Sequence, residues 1–306
     1  MKICFVGLGS IAKRHIENVK SLYPNSRIDV LRHLKNLDIP KEIGNVINNV
    51  YTDFNDMPDG YDVIFITNPT SKHYDTLMKL HDKGKHFFIE KPVFEKYNED
   101  IDKINLRQDS VYYVACPLRY TAVIQYLKKN IDYSKVHSMR AISSSYLPEW
   151  RKGIDYRETY SAKTELGGGV SIDLIHEWDY IFYLIGEPLS TKSIISKKSN
   201  LEIDSDDLAI YIAEYADKLV EVHLDYFGRK AIRKLELFTD EDTIEADLIS
   251  SRITYQKSGK VIYFNEERND YQKREIAHFF DIIDRKEINE NDIREACKVL
   301  KVTKGQ

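Results

Sequence analysis

Cysteine is scarce in this 306-residue chain, which holds three, Cys4, Cys116 and Cys297. They are odd in number, far apart and without metal-ligand spacing, so reduced thiols, no disulfide and no bound metal are expected, as in a cytoplasmic protein. No apolar run approaches the roughly 18 residues of a membrane helix. The N-terminus enters a strand-like run at once, without the basic region, apolar stretch and cleavage site of a secretory leader, so no membrane partner is expected. A basic excess is also missing: 45 Lys and Arg face 49 Asp and Glu, a net charge of -4, which argues against a nucleic-acid partner. No internal repeat or low-complexity segment stands out. The length suffices for two domains.

What is present begins with strands alternating with helices. An apolar strand over residues 2–8 runs into Gly7-Leu8-Gly9-Ser10-Ile11-Ala12, which opens a helix reaching about Tyr23. The spacing is a G-x-G-x-x-A form of the dinucleotide fingerprint. Gly7 permits the sharp turn, Gly9 admits a pyrophosphate to the backbone, and the helix N-terminus offers N–H groups and a positive dipole end. A second strand, Arg27–Leu31, ends at Arg32-His33, where a ribose is expected. Asp29 lies within that strand and is not expected to reach it. Arg32 suits the 2'-phosphate of NADP or stacking on adenine, and the reading leans to NADP. The strand Asp62–Thr67 ends in Asn68-Pro69-Thr70-Ser71 ahead of a helix from about Lys72 to Lys83, a natural wall for a nicotinamide. The strand His86–Ile89 delivers Glu90-Lys91-Pro92 to the strand ends where doubly wound sheets bind ligands.

The second half carries Gly167-Gly168-Gly169 followed by a helix with Val170, Leu174, Ile175, Trp178, Ile181, Phe182 and Ile185 at helical spacing. Asp173 and His176 are three apart, which places both on one helix face, with Asp179 three further on. The bland alternative is that these groups only satisfy one another. Before the glycines, residues 147–166 form a long loop with Trp150, Arg151, Tyr156, Arg157, Tyr160 and Lys163, groups suited to stacking on sugar rings and holding carboxylate or phosphate. Strand-like runs at Thr191–Lys197, Asp207–Glu214, Leu219–Tyr226, Arg233–Phe238, Asp242–Asp247 and Arg252–Gln256 imply a mostly antiparallel sheet with helices on one face. Helices over about Asp270–Arg285 and Asp292–Val302 close the chain.

The motifs GLGSIAKRH, TNPTSKH, EKP and GGGVSIDLIHEWD, in that order, make the chain resemble the Gfo/Idh/MocA family of NAD(P)-dependent sugar and cyclitol oxidoreductases. The passage Val114 to Arg119-Tyr120 resembles that family's entry into its substrate domain. The resemblance implies an α/β plus α+β fold: a Rossmann dinucleotide-binding domain over 1–120, and a substrate-binding and oligomerisation domain over 121–306 with an open-faced sheet. It implies that Lys91 touches nicotinamide ribose and substrate, and that Asp173 and His176 flank the reacting hydroxyl. Many members place the His four residues after the Asp; here Glu177 holds that place, and His176 keeps the family spacing to Asp179. Text such as LPEWR and DYRETYSA before the glycines is similar to enzymes of surface-polysaccharide and unusual-sugar pathways.

Together these readings give a set of expected roles. Gly7, Gly9, Ser10, Ile11, Ala12, Arg32, His33, Asn68, Pro69, His73, Glu90 and Lys91 would hold NAD(P)(H). Lys91, His176 and Asp173 would be catalytic. Arg119, Trp150, Arg151, Tyr156, Arg157, Tyr160 and Lys163 would join them around a sugar or nucleotide-sugar substrate. The expected reaction is hydride transfer between nicotinamide and a secondary alcohol or ketone of the sugar. A homodimer or homotetramer through the C-terminal sheet is expected, its contact face supplied by the alternating Leu, Val and Tyr of Leu219–Tyr226. The alternative from another class is a nucleotide-binding regulatory protein of the same fold that catalyses nothing.

Overall fold

The computed structural model of the chain describes residues 1–32, 39 and 41–306. In chain order the elements are β1 (Lys2–Val6), α1 (Ser10–Leu22), β2 (Arg27–Leu31), α2 (Lys41–Gly44), β3 (Asn49–Tyr51), β4 (Tyr61–Ile66), α3 (His73–Leu80), β5 (Gly84–Ile89), β6 (Tyr112–Val114), α4 (Ala122–Asn130) and β7 (Val136–Tyr146). There follow α5 (Val170–Asp173), α6 (His176–Ile185), β8 (Ser190–Ser196), β9 (Leu208–Glu214), β10 (Leu219–Asp225), β11 (Phe227–Thr239), β12 (Thr243–Asp247), β13 (Arg252–Tyr255), β14 (Val261–Tyr263), α7 (Arg268–Ile283) and α8 (Ile293–Thr303).

Two compact units result, Met1–Ala115 with Gln272–Cys297, and Cys116–Tyr271 with Lys298–Gln306. The first holds a six-stranded sheet in the order β3-β2-β1-β4-β5-β6, every pair parallel. Its strands are near-continuous apolar runs because both faces are covered, the usual state of a parallel sheet. The order reverses between β1 and β4, which opens the crevice where such sheets bind ligands, outside the strand C-termini. The expected doubly wound parallel sheet is present.

One expectation about the units needs correction. The C-terminal helices had been assigned wholly to the second domain, yet Gln272–Cys297 groups with the first. Residues 90–111, which link the parallel strands β5 and β6, contain a 3-10 turn at Ile101–Ile104 but no α-helix. The Phe279 ring of α7 packs instead against Phe65, Phe88 and Tyr113, at centroid distances of 6.1, 5.4 and 5.7 Å. A distant helix thus covers apolar surface on β4, β5 and β6.

The second unit is an eight-stranded sheet, β14-β13-β12-β11-β7-β10-β9-β8, antiparallel except for the parallel pair β7–β10. Trp178 of α6 is fully buried and meets Tyr211 of β9 edge-on at 5.4 Å. Val220, Val222 and Leu224 are fully buried, so they lie on the covered face. This corrects the reading that β10's alternating residues form the open face. The open face is supplied by Ile194, Ile210, Ile212 and Leu219, each exposed, because side chains two apart share a face and the register pairs Ile194 with Ile210.

Candidate active site

In the first unit the fingerprint turn is shaped by its own chain and by an unfilled helix end. Gly7 has φ +91°, and a Cβ there would stand 2.9 Å from Asn68 Cα and N, so both backbone and neighbour demand glycine. A Cβ on Gly9 would meet nothing within 4 Å, so no part of the protein explains that glycine. Gly9 caps α1 with no side-chain hydrogen bond, and the helix's first turn holds no acidic residue. Its N–H groups therefore point outward with their positive end unneutralised, which fits a pyrophosphate. Ala12 is fully buried. Arg32 follows β2, half-buried, with no ion pair among the described residues. His33 lies outside the described residues. Asp29 is fully buried and accepts from Tyr61 Oη and Asn49 Nδ2, which keeps its carboxylate inside the sheet.

The loops after β4 and β5 meet at a histidine. His73 Nε2 lies 2.9 Å from the Asn68 carbonyl, and Nδ1 lies 3.1 Å from those of both Pro92 and Val93. Burial holds the ring below its ordinary pKa against the pull of these carbonyls. Asn68 donates from Nδ2 to Thr76 Oγ1, and Pro69, exposed, opens the 3-10 turn Thr70–Lys72. Glu90 Oε1 is 2.6 Å from His15 Nε2, and Glu90 Oε2 accepts from the Lys91 backbone N–H at 3.2 Å. Burial would raise the Glu90 pKa, but His15, Lys91 and His73 together hold it below the usual value. Lys91 is half-buried, and its bond to Pro92 is cis.

In the second unit two of the three glycines make room for the chain itself. A Cβ on Gly168 would lie 2.0 Å from the Tyr160 carbonyl oxygen, and one on Gly169, at φ +133°, would lie 2.2 Å from Asp206 Oδ1. Both close approaches are to the protein itself, to neighbouring backbone and to Asp206, whose Oδ2 accepts from Ser171 N. The expected continuous helix is also divided. After α5, Leu174 takes φ -98° and ψ 26°, and Ile175 N and Glu177 N bond to carbonyls three residues back. The 100° per residue of an α-helix does not carry across that turn, so spacing alone does not put Asp173 and His176 on one face.

The acidic side chains around His176 each have an assigned partner. Asp173, buried, accepts from Tyr160 Oη at 2.6 Å and Tyr226 Oη at 2.5 Å. Glu177, fully buried, accepts from Arg233 Nε at 2.8 Å. Asp179 receives Arg119 through two guanidinium nitrogens at 2.9 and 2.8 Å. His176 opens α6 and is half-exposed. The segment 147–166 is built of four 3-10 turns. Trp150 donates to Ser145 Oγ and meets Tyr226 edge-on at 5.2 Å, while Arg151 lies over the Tyr160 ring at 5.7 Å.

Residues 1–109 match the Gfo/Idh/MocA oxidoreductase family with its NAD-binding Rossmann fold. Among curated proteins, the chain is 26% identical over 203 residues to myo-inositol 2-dehydrogenase of Thermotoga maritima, covering 61% of this chain and 55% of that protein. It is 24% identical over 206 residues to scyllo-inositol 2-dehydrogenase (NAD(+)) of Bacillus subtilis, covering 63% and 56%. The chain thus spans little more than half the length of these relatives. Its fold matches that of levoglucosan dehydrogenase in complex with NADH, with TM-score 0.83 and 17% identity over 100% of this chain and 95% of that one. It also matches the WlbA dehydrogenase of Bordetella pertussis in complex with NADH and UDP-GlcNAcA, with TM-score 0.81 and 14% identity over 100% and 94%.

Several expected roles change. His73 was read as a cofactor ligand, but both ring nitrogens face backbone carbonyls in the interior, so it fastens the loops after β4 and β5. Arg119 was read as a substrate ligand; it is 3% exposed and its guanidinium is held by Asp179. Arg157 is exposed and ion-paired to Asp155 and Glu202. Tyr156 accepts from the Glu202 backbone N–H at its hydroxyl, and Lys163 is half-buried. The sequence reading missed Tyr226, Asp206 and the His15–Glu90 pair. His15 alone left a signal, as a histidine on the buried face of α1 beside Ala12 and Val19.

Proposed function

We propose that this chain is an NAD(P)-dependent oxidoreductase that passes a hydride between nicotinamide and a carbon bearing a secondary alcohol or ketone. The proposed substrate is a sugar, nucleotide-linked or acidic, of the kind used to build polysaccharide precursors. The observation that carries the reading is the turn at Gly9, where a Cβ would meet nothing within 4 Å and the first turn of α1 holds no acidic residue, together with a half-exposed His176 at the start of α6. When bound, the nicotinamide supplies the hydride acceptor or donor. In oxidation His176 takes the proton of the hydroxyl as the carbon loses its hydride, work suited to an ordinary imidazole pKa of about 6.5. Lys91 orients that hydroxyl and stabilises negative charge developing on its oxygen. Asp173 acts by holding Tyr160 and Tyr226, and Trp150, Arg151 and Tyr160 offer the rings and positive charge that a sugar and its acidic group require.

The adenosine end is assigned to Gly7, Gly9, Ser10, Ile11, Ala12 and Arg32, and the nicotinamide end to Asn68, Pro69, Glu90 and Lys91. Arg32 favours NADP; a titration in which NAD binds more tightly would overturn that preference. The open face of the C-terminal sheet is proposed to join copies of the chain. The activity is tested by offering nucleotide sugars and acidic sugars with both cofactors and following nicotinamide absorbance, with Lys91→Ala as the blank. His176→Ala is expected to lower turnover by roughly 10²–10⁴-fold with cofactor binding intact. Near-normal turnover in that variant would remove His176 from the mechanism. Cofactor binding without turnover of any substrate would favour the regulatory alternative.

A further inference from the structure

Glu90 and Lys91 are adjacent at the end of β5, yet the group that fixes Glu90 comes from α1, the helix whose N-terminus is the pyrophosphate site. His15 is 1% exposed, and its ring lies against Phe88 at 5.1 Å and Phe65 at 5.8 Å. This aromatic setting fixes the ring plane and leaves Nδ1 with no hydrogen-bond partner among the described residues. The Nε2–H donates to Glu90 Oε1, and the other Glu90 oxygen accepts from the Lys91 backbone N–H. A charge with so little access to water is expensive unless paired, so the pair would hardly persist where an apolar contact served equally. His15 and Ser10, the first residue of α1, share one helix, about 7.5 Å apart along its axis by the rise of 1.5 Å per residue. Movement of the α1 N-terminus is therefore carried to His15, and from there to the backbone of Lys91. On the far side, His73 pins the Pro92 and Val93 carbonyls, so the Lys91 loop is gripped from two helices.

We propose that His15 is a positioning residue which, through Glu90, couples the seating of the dinucleotide phosphates on α1 to the placement of the Lys91 loop at the nicotinamide end. The proposal rests on the dinucleotide reading given above, and it concerns residues of the first unit alone. It distinguishes the two halves of the cofactor. ADP-ribose engages the fingerprint turn but lacks nicotinamide, whereas NADH requires both ends. A purely structural role for His15 would weaken both ligands alike.

The test is calorimetric titration of NADH and of ADP-ribose into the wild-type chain and into His15→Ala, His15→Gln and Glu90→Gln. The expected result for His15→Ala is a loss of roughly tenfold or more in NADH affinity, with ADP-ribose affinity within about twofold of wild type. His15→Gln, which keeps an N–H donor in that direction, is expected to recover most of the loss. Glu90→Gln is expected to show the same selective loss, and it serves if His15→Ala does not fold. Equal losses for the two ligands, or no loss for either, would overturn the coupling. A wild-type chain that binds neither of these ligands, nor NADPH, would instead remove the dinucleotide reading, and the coupling with it.

Discussion

Single residues in this chain are constrained by what stands within a few ångströms, and the glycines before α5 show it. Gly168 is enclosed by the carbonyls of Tyr160, Ser161 and Lys163, at 2.0, 2.8 and 2.9 Å from where a Cβ would sit. Backbone cannot rotate aside as the end of a side chain can, so Gly168→Ala is expected to destabilise the protein by roughly 1–3 kcal/mol, seen as a lower urea midpoint. Gly9, open on all sides, should tolerate Ala in the same assay. The fingerprint was legible in sequence because the turn and helix start are local. The tasks of Gly168 and Gly169 were not, since the atoms they make room for belong to other stretches of chain. The same holds for Asp173: its spacing to His176 suggested a shared face, but Tyr160 and Tyr226, 13 and 53 residues away, decide what its carboxylate does.

Elements are held by charges that would be costly alone. Arg119, in the 3-10 turn before α4, and Asp179 of α6 form a bidentate pair with side chains 3% and 11% exposed. Asp179→Asn keeps the shape but leaves the guanidinium without its counter-charge, and a loss of roughly 3–5 kcal/mol is expected in denaturant titrations. Burial depresses the pKa of His73, which joins the loops after β4 and β5, so the unfolded chain takes up a proton near pH 6.5 that the folded chain resists. That contribution is complete above about 6.5 and is lost as pH falls from there toward the folded value. Glu90, whose folded pKa is lowered, acts in the same direction at more acid pH, its contribution fading as pH falls through the folded value. Stability is therefore expected to decline below pH 6.5, and His73→Asn should flatten the upper part of that decline in urea midpoints measured from pH 8 to 5. A midpoint independent of pH over that range would count against the assignment.

At the scale of the whole molecule, the open face of the second sheet carries Ile194 at 65% and Ile212 at 52% exposure, with Leu219 at 52%. Apolar rows of this kind on a covered-on-one-side sheet suit association with a second copy. Light scattering is expected to show a dimer or tetramer, and Ile212→Glu a smaller species with the NADH affinity unchanged; a monomeric wild type would end the idea. The sequence by itself determined the alternation of strand and helix, the fingerprint turn and the antiparallel second half. Each depends on patterns repeating within a few residues. Only the tertiary structure decided that Gln272–Cys297 completes the first unit, that α5 and α6 are separate, and that the side chains of Arg119 and His73 are buried against partners of the protein's own. Those outcomes depend on which distant groups a side chain meets, and hydrogen bonding and packing settle that only once the chain has folded.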